Sequence, residues 1–284
     1  IVKDLLEHGA NINVKDHNEI TPLHQAAMHD STDAASLLIS HQANVNSLDI
    51  SLRTPLHIAA RRGTWGATVT VRRLLEAGAD VLSQDMWGVT PLRLAMSKDS
   101  HTAVRLMLDK LLETQGEEVT QELCTDELPR VARLGHERVV RELIARKADV
   151  NKPTEDGYTA LHEAVYAASL GSVEALLDAG ADVHAKDGLQ MTALHWCAEM
   201  EGQRQQRVAI FNMLISAGAD PSAEDKWQFT AIRSAARNDK ADTLRVYLGS
   251  RGKEAEEPRD KWNMTLLHTA AYHGKSHSVQ AILD

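Results

Sequence analysis

Apolar positions along this chain follow two alternating phrases. The first runs Thr, then Pro or Ala, then Leu, a polar residue, and a pair of small residues, as in "TPLHQAA" from Thr21 and "TPLHIAA" from Thr54. The second places Val, Leu and Leu at helical spacing, as in "VRRLLEAGADV" from Val71 and "VEALLDAGADV" from Val173. Both predict short amphipathic helices. The Thr hydroxyl of the first phrase caps orphan amides, and Pro is tolerated in the first turn. The paired Ala let a neighbouring helix come close. Gly in "EAGA" and "DAGA" fits a left-handed helix terminus. The polar, Asp-centred stretch that follows reads as a turn or hairpin.

The first phrase begins at Thr21, Thr54, Thr90, Thr159, Thr192, Thr230 and Thr265, with a degenerate "ELPRVA" from Glu127, so the step varies from 32 to 38 residues. The second phrase opens the chain as "VKDLLEHGANI" from Val2 and recurs at Val140 and Phe211. Self-similarity at this period marks stacked units, each too small to bury its apolar face alone.

These residues resemble the ankyrin repeat, over nearly the whole chain and about eight times. The resemblance implies an all-α solenoid in which each repeat contributes two antiparallel helices and a projecting β-hairpin, with stability close to a sum over neighbours. It implies that partners meet the hairpin tips and the two residues after the Ala pair, on the concave face of the first helices. It also implies that His24, His57, His162, His195 and His268, at one repeat position, brace the hairpins by hydrogen bonding. Neither end reads as a polar cap. We therefore expect a segment of a longer array, truncated at both ends, whose uncapped ends favour self-association.

Four places break the period. In "RRGTWGATVTVRR" about three extra residues, including Trp65, are expected between the helices, and in "EMEGQRQQRVAIF" about five. "GSRGKEAEEPRDKW" adds a charged extension before the last hairpin. The largest change is "ETQGEEVTQELCTDELP", where the hairpin phrase is missing and Glu113, Glu117, Glu118, Glu122, Asp126 and Glu127 occur with no Lys or Arg between them. This stretch reads as a solvated linker with an extra helical turn, or as a docking site for a basic partner. The domain expectation follows: N-terminal repeats over 1–111, an acidic irregular break over 112–127, and C-terminal repeats over 128–284, all in one continuous solenoid.

Three tryptophans share a register. Trp87, Trp227 and Trp262 each stand two residues after the turn Asp and three before the capping Thr, at the hairpin tip of the resemblance. Burying one indole contributes up to about 5 kcal/mol, and Trp is enriched among interface anchors. Two roles stay open: packing on the neighbouring hairpin, or contact with a partner together with Met86, Lys226 and Lys261 beside them. Trp196, on a first helix, reads as packing. Trp65 reads as available. On the concave face Arg61, Arg62, Lys98 and Arg237 offer positive charge, while Tyr166, Met200 and Tyr272 offer amphipathic surface. A peptide with acidic and apolar groups suits that mixture; ordinary exposed variation is the alternative.

The chemistry of enzymes is sparse. "HEAVY" at 162–166 lacks the second metal-binding His, because Tyr166 stands there. "HGKS" at 273–276 ends like a phosphate loop, but Thr269 occupies the required Gly position. No dinucleotide fingerprint occurs. Cys124 and Cys197 are too few for a disulfide framework or zinc site, and Cys197 takes a small-residue packing position, as a buried inert thiol. No catalytic, cofactor or metal site is expected.

Composition narrows the partners. Of 284 residues, 43% are hydrophobic but only 4% aromatic, which suits closely packed helices. The net charge of −9 argues against nucleic acid and anionic membranes. No apolar run is long enough for a membrane span, and the start lacks a signal-peptide pattern. The expectation is a cytoplasmic, non-catalytic scaffold with a protein partner. The alternative is a rigid spacer, or a regulatory or autoinhibitory arm of a larger enzyme, channel or signalling protein.

Overall fold

A computed structural model describes residues 8–251, 259 and 262–284. The opening phrase from Val2, most of the charged extension, and Lys261 therefore fall wholly or largely outside the described residues. The chain divides into two compact units, 1–122 and 123–284. Among the described residues the regular structure is all helical.

Unit 1 holds three helix pairs: α1 (Pro22–Met28) with α2 (Thr32–Ser40), α3 (Pro55–Ala60) with α4 (Trp65–Glu76), and α5 (Pro91–Ser97) with α6 (His101–Gln115). The first helices α1, α3 and α5 pack in a row, and α2, α4 and α6 form a second row against it. The unit boundary falls inside α7 (Glu117–Arg133). Unit 2 continues with α8 (Glu137–Ala145), α9 (Ala160–Tyr166), α10 (Leu170–Asp178), α11 (Ala193–Glu199) and α12 (Arg204–Ser216). It ends with α13 (Ala231–Arg237), α14 (Ala241–Arg251), α15 (Leu266–Tyr272) and α16 (Ser276–Leu283). The same two-row packing recurs there: α9, α11, α13 and α15 in one row, α8, α10, α12, α14 and α16 in the other.

The sequence phrase explains each first helix. Thr54 is extended, and its hydroxyl accepts from the His57 amide. In return His57 Nδ1 accepts from the Thr54 amide at 3.0 Å. An acceptor Nδ1 leaves the proton on Nε2, which donates to the Val89 carbonyl of the next repeat at 3.1 Å. His24 does the same toward Arg53, His162 toward Met191 and His195 toward Phe229. Each bond ends on the residue just before the following capping Thr. Burial lowers the pKa of all four imidazoles, so the fold holds them neutral. Three copies depart from this chemistry. In the copy from Thr90, Arg93 stands in place of His and its amide donates to the Thr90 hydroxyl. Arg233 replaces His and still reaches the matching carbonyl, donating to Met264 at 2.9 Å and to Thr269 Oγ1 at 3.0 Å. At the degenerate copy, a Glu127–Arg130 ion pair at 2.6 Å stands in place of Thr and His.

The projecting hairpins are tight turns. A single bridge, Glu224 with Thr230, is the extent of ladder pairing among the described residues. An Asp organises most of the described turns, and Thr154 takes that place before Thr159, its Oγ1 accepting from the Tyr158 amide. Asp85 Oδ1 accepts from the Trp87 and Val89 amides, and Asp225 Oδ1 from those of Trp227 and Phe229. Adjacent turns are tied through the backbone, Met86 N to Ser51 O in unit 1 and Lys226 N to Leu189 O in unit 2. Where the second helix ends the chain turns left-handed, which suits Gly78 and Gly180 at φ +87° and +82°, while Gln42 and Lys147 adopt it at +65° and +62° in two other repeats.

The irregular places fold differently from expectation. Both internal insertions lengthen the second helix far more than the connection. Helix α4 has 12 residues and α12 has 13, against 9 in α2, α8 and α10. Extra residues that keep helical pairing satisfy their own backbone groups, which a longer loop would not. The acidic stretch is also helical, interrupted at Gly116, where φ is +87°. Local cations pair with several of its acids: Lys110 with Glu113, Lys152 with Asp126 and Arg130 with Glu127. Both cysteines are free and buried, and burial pushes each thiol up to about 12.

Candidate recognition surfaces

Two arrangements stand out. The first is the row of turn tips. Trp87 is 67% exposed, Trp227 51% and Trp262 62%. The turn Asp fixes the backbones of Trp87 and Trp227, and about half or more of each of the three residues is exposed. The Trp227 ring carries the Lys226 ammonium 4.3 Å from its centroid. Met86, beside Trp87, is exposed as well.

The second arrangement is a pocket of about 580 Å³ in unit 2. It opens between the end of α9, the turn before α11, and the connection from α11 to α12. Tyr166, Leu189, Met191, Trp196, Glu199, Met200 and Glu201 are among the residues that line it. Trp196 is its fixed wall. The rings of Tyr158, Tyr166 and His162 meet it edge-on at 5.1, 5.8 and 5.9 Å between centroids, a favoured aromatic geometry. Its indole N–H donates to Asp187 Oδ2 at 2.9 Å. Burial raises the pKa of Glu199; Arg237, 3.6 Å away, opposes that shift, and Asp225 and Asp187 add to it.

The far wall is set by a buried ion pair. Arg207, only 5% exposed, sits in α12 and makes two bonds of 2.8 Å to the Asp242 carboxylate in α14. Its other terminal nitrogen donates to the carbonyls of Met200 and Gly202 at 3.2 and 3.0 Å. One guanidinium thus holds the 200–203 connection in place. That connection contains Gln203 in the left-handed region, at φ +42°.

The expected surface residues divide accordingly. Arg61, Lys98, Tyr166 and Tyr272 are exposed. Arg62 is exposed but engaged by Asp30 at 3.1 Å, and Arg237 is engaged by Glu199. Their charge is therefore partly spent within the fold. Met200 is a correction: it is 8% exposed, because the chain leaves the helix there and turns its side chain inward as part of the pocket. Trp65 is the first residue of α4 and not a loop residue; its side chain lies outside the described residues. The Arg207–Asp242 pair was missed. Its signal was a charged residue one helical turn before the buried Phe211, answered 35 residues on, one repeat away.

Comparison with known proteins agrees with this architecture. A profile of ankyrin repeats matches residues 1–85 and 128–225. The chain belongs to the ankyrin repeat family. Human neurogenic locus notch homolog protein 2 is 36% identical over 106 residues, 37% of the ankyrin chain described here. Mouse neurogenic locus notch homolog protein 1 is 29% identical over 197 residues, 68% of this chain. The chain spans only 4% and 6% of those relatives' own lengths. The human ASB11 ankyrin repeat domain superposes with a TM-score of 0.61 at 26% identity, covering 75% of this chain and 90% of that one. Ankyrin repeats are in general protein–protein interaction modules. Among the described residues of this array no helix is long and apolar enough to cross a membrane, and no cluster of His, Cys, Asp and Glu could hold a metal ion.

Proposed function

We propose that this chain is a non-catalytic recognition module that engages a protein partner through its turn tips and its first-helix face. The observation that carries this reading is the exposure of three indoles at one repeat position, Trp87, Trp227 and Trp262. The fold gains little from them where they stand. A partner that buried them would gain up to about 5 kcal/mol from each ring. At the helix ends, Arg61 and Lys98 add to the contact in unit 1, and Tyr166 and Tyr272 in unit 2.

The test is quantitative capture of binding proteins by the wild-type chain and by a Trp87→Ala, Trp227→Ala, Trp262→Ala variant, with the melting temperature of each measured in parallel. The expected result is a protein held by the wild type and lost by an equally stable variant. Equal capture by both removes the tips from the binding surface. Absence of any specific capture favours a spacer or regulatory arm.

A further inference from the structure

The pocket in unit 2 points to a particular kind of partner side chain. This step rests on the recognition reading above and names a chemistry for one of its surfaces. On both sides of the pocket the chain already combines an arginine, an aromatic ring and a glutamate. On one side Arg133 lies 4.7 Å above the Tyr166 ring and pairs with Glu163 at 3.0 Å. On the other, Arg237 lies 5.6 Å above the Phe229 ring and pairs with Glu199 at 3.6 Å. Between them the pocket presents the Trp196 ring and the Glu199 and Glu201 carboxylates, and no cationic side chain is part of its lining.

We propose that this pocket receives an arginine side chain from a partner peptide. The methylene stem lies along Leu189, Met191 and Met200, and the guanidinium sits beside Trp196 between Glu199 and Glu201. Stacking on the ring and pairing with a partly buried carboxylate are the two interactions a planar guanidinium makes well. The surrounding charges favour a cation: the turn acids Asp187 and Asp225 add to Glu199 and Glu201, against Arg237 and against Lys240, which interacts with Glu201, while Arg133 over Tyr166 is matched by Glu163. Arg207, behind the wall, is already matched by Asp242. The pocket depends on the 200–203 connection, so it belongs to this repeat and is not a general property of the array.

The experiment selects a random displayed peptide library against the whole chain. The selected peptides are expected to share an arginine. Replacing that arginine by citrulline, which keeps the shape and removes the charge, should weaken binding at least about tenfold, roughly 1.4 kcal/mol. Glu201→Gln should weaken it in the same direction. Glu201 is exposed, so this substitution is expected to leave the melting temperature unchanged. A Glu199→Gln, Glu201→Gln variant should weaken it further. Selected peptides without arginine, arginine peptides that tolerate citrulline, or equal binding to the glutamine variants would each overturn the proposal, as would a selection that enriches nothing. If the selected peptides instead lose binding when Trp87, Trp227 and Trp262 are changed to Ala, the recognition reading stands and the arginine pocket falls.

Discussion

The two internal insertions offer a comparison within one molecule. Both lengthen a second helix by about one turn, yet the pockets beside them differ: the first, of about 570 Å³, has Thr64, Thr68, Val69 and Arg72 in its lining and no aromatic ring among the described lining residues, whereas the second is built on Trp196. In unit 1 the connection 61–64 is fastened to the preceding repeat. Arg62 Nε reaches Asp30 Oδ1 at 3.1 Å, Thr64 Oγ1 donates to Asp30 Oδ2 at 2.7 Å, and Thr64 then caps α4 through the Ala67 amide. In unit 2 the corresponding cap is absent, since Gln203 makes no side-chain capping bond. The connection is instead held from within by Arg207, whose charge is matched by Asp242 in the following repeat. The exposed fastening borders a pocket with a polar lining, whereas the buried one borders a pocket with an aromatic wall. What an added turn produces depends on where its polar groups find partners.

The sharpest way to break this contrast is Arg207→Met. It leaves the buried Asp242 with the exposed and more distant Arg204, 3.9 Å away, as a counter-charge, a loss of about 3 kcal/mol. Chemical denaturation should show that loss, and hydrogen exchange should place it in unit 2. Changing both partners, Arg207→Met with Asp242→Leu, should recover much of the stability without restoring the ties to Met200 and Gly202. A single-mutant loss below about 1 kcal/mol would mean the pair is not the support described here.

Acid should act on both units together. His24, His57, His162 and His195 are kept neutral by burial, with pKa values below that of the unfolded chain. The unfolded state therefore binds more protons on the acid side. The stability these groups contribute is complete above about pH 6.5 and is lost as pH falls through that value toward their folded pKa values. The melting temperature should drop between about pH 7.5 and 5.5, with exchange increasing in unit 1 and unit 2 alike. A drop confined to one unit would separate what the shared His chemistry joins.

Smaller effects sharpen the picture. Thr64→Ala removes the cap of α4 and the bond to Asp30, and should cost about 1 kcal/mol by denaturant titration. Gln203→Ala has no side-chain cap to lose and should cost less than Thr64→Ala. Trp87→Ala and Trp227→Ala should each change stability by no more than about 0.5 kcal/mol, because about half or more of each residue is exposed. A larger loss at either position would show that the tip supports its neighbours.

Much of this molecule was legible because its repeats state the same local rule many times. The Thr–His pair, the Ala pair and the Leu positions each predict a cap, a close helix contact and a buried apolar row, and Thr54, His57 and Leu56 fulfil all three. The departures were read less well. An inserted segment such as 200–216 carries no local mark that separates a longer loop from a longer helix. The choice is made by Arg207 and Asp242, which meet only across neighbouring repeats. Met200 was misplaced for the same reason: its position in the phrase was right, but its backbone is extended there, with ψ at 131°, where His29 and Lys98 at the same position keep ψ near 10°. The tip tryptophans were located by register alone. Their exposure depends on how each ring turns, which the register does not specify.

The histidine bonds also give the array a direction. Each runs from one repeat to the backbone of the repeat that follows, from His24 to Arg53, from His57 to Val89, from His162 to Met191 and from His195 to Phe229. A repeat therefore borrows the acceptor for its own first helix from its downstream neighbour and lends one upstream. Melting of a given repeat strands a buried imidazole proton in the repeat before it, while the repeat after it keeps its histidine satisfied. Disorder in such a stack travels more readily toward the N-terminus than away from it, although every unit looks alike.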